Sequence, residues 1–418
     1  MIFPRLLNAY LGKWLGRKKS LLVWGPRQTG KTTTIERWLG NVPGTWEQHH
    51  YLFQDPSVRR RVERNPSVIA EELEAGPRSR KLIFIDEVQK VPALMDSLQL
   101  LMDTHGAQWK FVLTGSSARK IRIAGGNLLP GRIFEKRLDP LLWDELGLAG
   151  KAGREHLTPV PRPEAPAGKP RTSVRWKLED ALTWGCLPEI PNLSKEDRAE
   201  TLRSYVSLYL EQEIRAEALV RKLGAFNRFL ELAAREAGTA PNLTRLSQES
   251  GVSVPAIQSY YAILEDTFVV ERIEPYLRNA RKRLMATPRY YFFDPGVRNA
   301  CAGLPLEPGL LATEGGRLFE HHIILETVRR IRLLDSTAKV HYWRTSHGAE
   351  VDMVVDLGDE LVPIEIKYTA NVRRGDLTGI KSFLEDYGRK VRMAWVVSLA
   401  PKPRKIDDKI TVIPWTAV

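Results

Sequence analysis

The sequence predicts an α/β protein of several domains that opens on a parallel sheet. Three observations carry this. Short apolar runs, Leu21–Trp24, Lys81–Ile85 and Lys110–Thr114, alternate with helix-like stretches between Ser20 and about Leu148, and strands that alternate with helices pair in parallel. A glycine-rich turn, Gly25–Thr32, joins the first run to the helix-like Thr33–Leu39. Mixed α/β patterning returns from Tyr290 to Val418. At 418 residues the chain has room for two to four domains of roughly 150 residues each.

The turn reads Gly-Pro-Arg-Gln-Thr-Gly-Lys-Thr, with a strand before it and a helix after it, which is the setting of a phosphate-binding loop. Its glycines let the backbone curl until the N–H groups face phosphate, and the helix N-terminus adds a favourable dipole. Gly25, Pro26, Arg27, Gln28, Thr29, Gly30, Lys31, Thr32 and Thr33 are the expected nucleotide ligands, with Lys31 on the β- and γ-phosphates and Thr32 on Mg²⁺. The second apolar run ends in Asp86-Glu87, 55 residues after Lys31. Asp86 is expected to hold Mg²⁺ and Glu87 to deprotonate the attacking water, so the pair points to ATP hydrolysis. The third run ends in Thr114, followed by Gly115, Ser116 and Ser117. Thr114, and Ser116 second, are candidates to contact the γ-phosphate or the water. Arg132 is the candidate to neutralise charge in the transition state, in its own subunit or a neighbour's, with Arg119 a weaker rival.

The stretches GPRQTGKT, FIDEVQKVP, FVLTGSSAR and GRIFEKRLDPLLWDEL resemble the AAA+ ATPases of bacteria and archaea that carry a C-terminal domain of the restriction-endonuclease fold. The resemblance extends over nearly the whole chain. It implies an AAA+ core, a helical segment, a winged helix and a nuclease-like end, and it makes a homo-oligomer the expectation, because a neighbour's arginine often completes such sites.

The expected divisions are an AAA+ core at 1–150, a linker rich in Pro, Gly, Ala and charge at 151–173, a helical lid-like segment at 174–237, a winged helix at 238–289 and a nuclease-like domain at 290–418. For the winged-helix region, Leu243–Ser250 and the stretch from Ser253 to Leu264, joined at Gly251-Val252, read as two helices with a tight turn. Phe268–Tyr276 and Tyr290–Phe293 read as a strand pair around a basic stretch. Arg278, Arg281, Lys282 and Arg283 in that stretch are the expected grip on DNA phosphates. The second helix has no basic residue, so a shape-tolerant grip suits it better than base reading, and packing between domains is the other use of such a module.

In the tail, Asp352 lies in the strand-like Glu350–Val355, and Glu365 and Lys367 lie in the strand-like Pro363–Tyr368. Positions 365 and 367 share one face of a strand, and a hairpin turning at Gly358-Asp359 brings Asp352 beside them. Asp, then Glu-x-Lys, resembles the PD-(D/E)xK nuclease core, although Val351 stands where that motif has proline. Asp352 and Glu365 are the expected Mg²⁺ ligands with Glu320 a third, and Glu365 and Lys367 are the expected catalytic groups. His321, His322, His341 and His347 lack metal-ligand spacing and suit packing.

Lysine and arginine number 63 against 50 acids, for a charge of +13, compatible with a nucleic-acid partner. Two cysteines exclude a disulfide scaffold, and no apolar run reaches the roughly 18 residues of a membrane span. The expectation is a soluble cytoplasmic ATPase with no membrane partner, using ATP and Mg²⁺ and acting on DNA, with branched and single-stranded forms the candidate substrates. An ATP-controlled switch or scaffold with an inactive nuclease-like tail is the alternative.

Overall fold

The computed structural model describes residues 2–117, 129–148, 157–161, 176–210, 223–277 and 287–418. They fall into two compact units, Pro4–Asp139 with Asp266–Phe268, and Met1–Phe3 with Pro140–Glu265 and Val269–Val418. Apart from Asp266–Phe268, the described residues from 176 to 418 lie in the second of these units.

The N-terminal unit runs α1 (Leu7–Trp14), β1 (Ser20–Trp24), α2 (Lys31–Leu39), β2 (Glu47–Leu52), α3 (Pro56–Arg64), α4 (Val68–Ala75), β3 (Lys81–Asp86), α5 (Leu94–His105), β4 (Trp109–Gly115) and β5 (Ile133–Arg137). Among the described residues its strands form a parallel sheet ordered β2-β3-β4-β1-β5. Alternate residues feed opposite cores, as the two-residue strand period requires. Leu21, Val23, Leu82, Phe84 and Val112 pack with α1 and α2 through Leu11, Trp14 and Ile35. Leu22, Trp24, Ile83, Ile85, Phe111 and Leu113 pack with α4 and α5 through Leu73, Leu94 and Leu98. Two covered faces are why these strands read as continuous apolar runs. Because every strand points the same way, the ends of β1, β3 and β4 meet at one edge, with β4 in the middle.

In the second unit, α6 (Trp143–Leu146), α7 (Leu178–Trp184), α8 (Lys195–Ser204), α9 (Leu223–Arg235), α10 (Leu243–Ser250), α11 (Val254–Asp266) and α12 (Pro295–Cys301) accompany a larger sheet. The two helices read at 243–264 are α10 and α11, with Gly251 in the left-handed region between them (φ 70). The strand pair is β6 (Val270–Pro275) and β7 (Arg289–Phe292), antiparallel. This hairpin is part of the larger sheet, since β6 also pairs with β8 (Lys339–Arg344). That sheet continues through β9 (Glu350–Asp356), β10 (Leu361–Lys367), β11 (Ala394–Ser398), β12 (Arg404–Lys405) and β13 (Ile410–Pro414), in the order β12-β13-β11-β10-β9-β8-β6-β7. Helix α13 (Leu311–Leu333) covers one face, where Phe319 and Ile323 meet Val362, Ile364 and Ile366. Helix α14 (Thr378–Tyr387) covers the other, where Ile380 and Phe383 meet Leu361, Val396 and Val412. No helix among the described residues is long and apolar enough to cross a membrane.

Candidate active site

Strand β1 delivers the chain into the glycine turn at the carboxyl edge of the N-terminal sheet. Gly25 is required by space: a Cβ there would lie 2.2 Å from the Leu138 carbonyl oxygen. Gly30, at φ 82, caps α2 from the left-handed region, where a side chain is strained. Gln28 also takes a positive φ, 60. Lys31 lies buried at the first position of α2, and its ammonium donates to the Gly25 carbonyl (3.0 Å) and the Pro26 carbonyl (2.7 Å). Thr29 is buried and Thr33 is exposed on the first turn of α2.

The acids at the end of β3 meet that turn. The Thr32 hydroxyl donates to Asp86 at 2.9 and 3.0 Å from its two oxygens. Adjacent oxygens of an octahedral Mg²⁺ shell with bonds of about 2.1 Å lie about 3 Å apart, so Thr32 and Asp86 fit such an ion. The Thr114 hydroxyl donates to Asp86 and accepts the Glu87 N–H at 3.1 Å. Glu87 adopts φ 57, uncommon for a residue with a side chain. Its carboxylate accepts the Ser116 hydroxyl at 2.9 Å and the Gln89 amide, and Gln89 also donates to Ser116 at 2.9 Å. Burial raises the Asp86 carboxyl, with Glu87 repulsion adding to it, against the hydrogen bonds from Thr114 and Thr32. Burial also pushes Glu87 up, but the charges of Lys31 and Arg27 and the bonds from Gln89 and Ser116 win and hold it below its ordinary value. The two neighbouring carboxyls are thus shifted in opposite directions by their surroundings.

The second unit has its own acidic cluster. The Ile366 N–H donates to Asp352 at 2.8 Å. The Lys367 ammonium lies 2.5 Å from Glu365 and 3.9 Å from Asp352. Glu320, on α13, accepts the Tyr291 hydroxyl at 2.9 Å and lies 3.7 Å from Arg289. Arg289 also pairs with Glu350 and stacks on Tyr342, 4.2 Å from ring centroid. Burial and the charge of Asp352 push Glu365 up to about 8, and Glu320 is raised to about 8 by the same two causes. Asp352, Glu365 and Lys367 are thus brought into mutual electrostatic reach, with Glu320 in reach of the two carboxylates. Among the described residues, however, no group of three or more His, Cys, Asp or Glu is arranged to hold a metal ion. Glu320 is engaged by the Tyr291 hydroxyl and paired with Arg289. Asp352 and Glu365 remain as a pair, and the buried Glu365 Oε2 has no partner among the described residues. Two carboxylates with such an open oxygen suit an ion that keeps most of its waters.

Residues 17–147 match the model of an AAA domain. This region resembles a P-loop ATPase domain. Residues 175–307 and 315–418 match two domains of unknown function, DUF8612 and DUF4143. Uncharacterized proteins of Mycobacterium bovis and Mycobacterium tuberculosis are each 25% identical over 376 residues, covering 88% of this chain and 75% of theirs. Among solved structures, a Walker-type ATPase of Pyrococcus abyssi aligns with 72% of this chain and 96% of its own, at 14% identity and a TM-score of 0.45.

Within this region, Arg132 does not join the site of its own chain. Its carbonyl accepts the Ser20 N–H at the start of β1, so it sits at the sheet edge opposite the P-loop, and its guanidinium pairs with Asp103 at 2.7 and 2.8 Å. Arg119, Arg278, Arg281, Lys282 and Arg283 lie outside the described residues. The sequence reading missed Gln89. Its signal was a polar residue two places after Glu87, in a turn whose other neighbours, Val88 and Val91, are buried. His321 and His322 are buried, the first bonded to the Phe292 carbonyl (2.6 Å) and the second to the Trp143 indole (2.6 Å).

Proposed function

We propose that this chain hydrolyses ATP with Mg²⁺ and applies the turnover to DNA. The observation that carries the hydrolytic half is the junction of Thr32, Asp86, Thr114 and Glu87 at the mouth of the P-loop. In this reading the P-loop N–H groups and Lys31 bind the phosphates, and Lys31 exchanges its two carbonyl partners for them. Thr32 and Asp86 hold Mg²⁺, which supplies charge neutralisation on the phosphates. Glu87, ionised and steadied by Ser116 and Gln89, accepts the proton of the attacking water, and Thr114 fixes the carboxylates relative to one another. Arg132 serves a neighbouring copy of the chain. The test is phosphate release from Mg-ATP by wild type, Lys31→Ala and Glu87→Gln. Loss of nucleotide binding in the first and of turnover without loss of binding in the second is the expected pattern. Normal hydrolysis by Glu87→Gln overturns the assignment of the base.

The DNA half rests on the charge of +13 and the basic stretch at Arg278, Arg281, Lys282 and Arg283. In the same reading Asp352 and Glu365 bind Mg²⁺ and Lys367 steadies charge on a DNA phosphate during cleavage. Plasmid, single-stranded and branched DNA incubated with Mg²⁺ or Mn²⁺ test this. Cleavage lost in both Asp352→Ala and Lys367→Ala supports it, and equal cleavage by all three proteins points to a contaminant. The close pairing of Lys367 with Glu365 favours a second reading, an ATP-controlled switch whose tail is a docking module. Absence of cleavage together with ATP-dependent partner capture supports that one.

A further inference from the structure

We propose that Arg5 is a positioning residue of the nucleotide site, fixing the Thr29–Gly30 peptide so that its N–H donates to the phosphate chain of the nucleotide. The inference rests on the P-loop reading and names a residue outside the motif.

Arg5 is 8% exposed although it lies near the start of the chain. Its Nη1 donates to the Thr29 carbonyl and its Nη2 to the Asp139 carbonyl, each at 2.6 Å. The first carbonyl belongs to the P-loop. The second follows β5, the neighbour of β1. These two stretches already touch, because the Leu138 N–H donates to the Trp24 carbonyl at 2.8 Å and Gly25 packs against Leu138. One guanidinium therefore ties the far end of the loop to the strand that flanks its near end.

A loop that turns its N–H groups toward phosphate turns its carbonyls away, and buried carbonyls need donors. Lys31 serves Gly25 and Pro26, but phosphate competes for that ammonium. The Thr29 hydroxyl also donates to Pro26, at 3.0 Å. The Arg5 bonds lie on the carbonyl side of the Thr29–Gly30 peptide, so a nucleotide does not compete for them. The Thr29 carbonyl and the Gly30 N–H belong to the same peptide. A cation on that oxygen polarises the amide and makes the N–H a stronger donor to an anion. The planar fork of arginine reaches two carbonyls at fixed spacing, which a single ammonium does not match.

Helix α1 holds Arg5 in place. Leu7, Leu11 and Trp14 pack with Ile35 and Leu39 of α2. The Arg5 carbonyl accepts the Asn8 N–H at 3.1 Å, and the Trp14 indole donates to the Lys19 carbonyl at 2.9 Å.

The experiment uses the full chain and measures ADP binding by calorimetry, steady-state ATP hydrolysis, and thermal unfolding without nucleotide. Arg5→Ala is expected to weaken ADP binding and raise KM for ATP by about tenfold, the scale of one lost charge-assisted bond, while kcat falls by less than about threefold. Arg5→Lys is expected to fall between Arg5→Ala and wild type. A folded Arg5→Ala protein with wild-type ADP affinity overturns the proposal, and so does a loss confined to kcat. Should Arg5→Ala fail to fold, Arg5→Lys decides: intermediate affinity supports the proposal and wild-type affinity overturns it. Wild type and Lys31→Ala give the separate check, since equal ADP binding by those two would remove the P-loop reading itself.

Discussion

Glu87 shows how much of a site is decided by single side chains. Its backbone is held at φ 57, a conformation that costs of order 1–3 kcal/mol and persists only where neighbours impose it. Thr114 takes its N–H, and Ser116 and Gln89 take its carboxylate. Glu87→Gln is expected to reduce turnover by about a hundredfold or more while leaving ATP bound, measured by phosphate release and by nucleotide retained on the protein. Gln89→Ala leaves the base ionisable but less well placed, so kcat should fall by roughly tenfold with KM for ATP little changed. Equal losses in kcat and affinity would assign Gln89 to the loop rather than to the base.

At the scale of elements, the second unit depends on close approaches that pattern reading does not see. Asp294 caps α12 through the N–H groups of Gly296 and Val297 and accepts the Cys186 N–H at 2.7 Å. Gly185, at φ 77, leaves room for it, because a Cβ there would fall 1.9 Å from its carboxylate. Gly185→Ala is expected to destabilise the fold by more than about 3 kcal/mol in denaturant titration. Gly316, exposed on α13 with nothing within 4 Å of an added Cβ, is the contrast: Gly316→Ala should gain about 0.5–1 kcal/mol. The acidic cluster gives a pH signature of the metal-free protein. Glu365 holds its proton to about 8 in the folded chain against an ordinary 4.5. The stability from that tighter proton binding is therefore fully present below 4.5 and lost as pH rises through 8. Unfolding midpoints should decline over that range and level off above it, and Glu365→Gln should flatten the decline. A wild-type midpoint that does not decline across that range would show the carboxyl to be ionised there in the folded chain.

For the whole molecule, the charge of +13 is informative only where it gathers. If Arg278, Arg281, Lys282 and Arg283 grip phosphates, replacing all four should weaken DNA binding and flatten its dependence on salt between about 50 and 200 mM. An unchanged slope would move the DNA surface elsewhere. Arg132 belongs to the same scale. It lies far from the P-loop of its own chain, so its catalytic use requires a second copy. Mass measured with a non-hydrolysable ATP analogue should show an oligomer, and Arg132→Ala mixed with Lys31→Ala should recover part of the turnover that each lacks alone.

The P-loop, the acids at 86 and 87, and the strand ending at Thr114 were legible because each is a local pattern: glycines at fixed spacing, and an apolar run stopped by charge. The β9–β10 hairpin was legible for the same reason, since strand alternation alone puts Glu365 and Lys367 on one face. What tertiary structure decided is what depends on neighbours remote in sequence. It built the β6–β7 hairpin into the larger sheet, sent Arg132 to the opposite edge, gave Glu320 to Tyr291 and Arg289, and closed Gln89 and Ser116 around Glu87. Sequence spacing fixes geometry within a turn or a strand, where the backbone period does the placing. Beyond that length, placement follows from which surfaces pack, and only the folded chain contains that information.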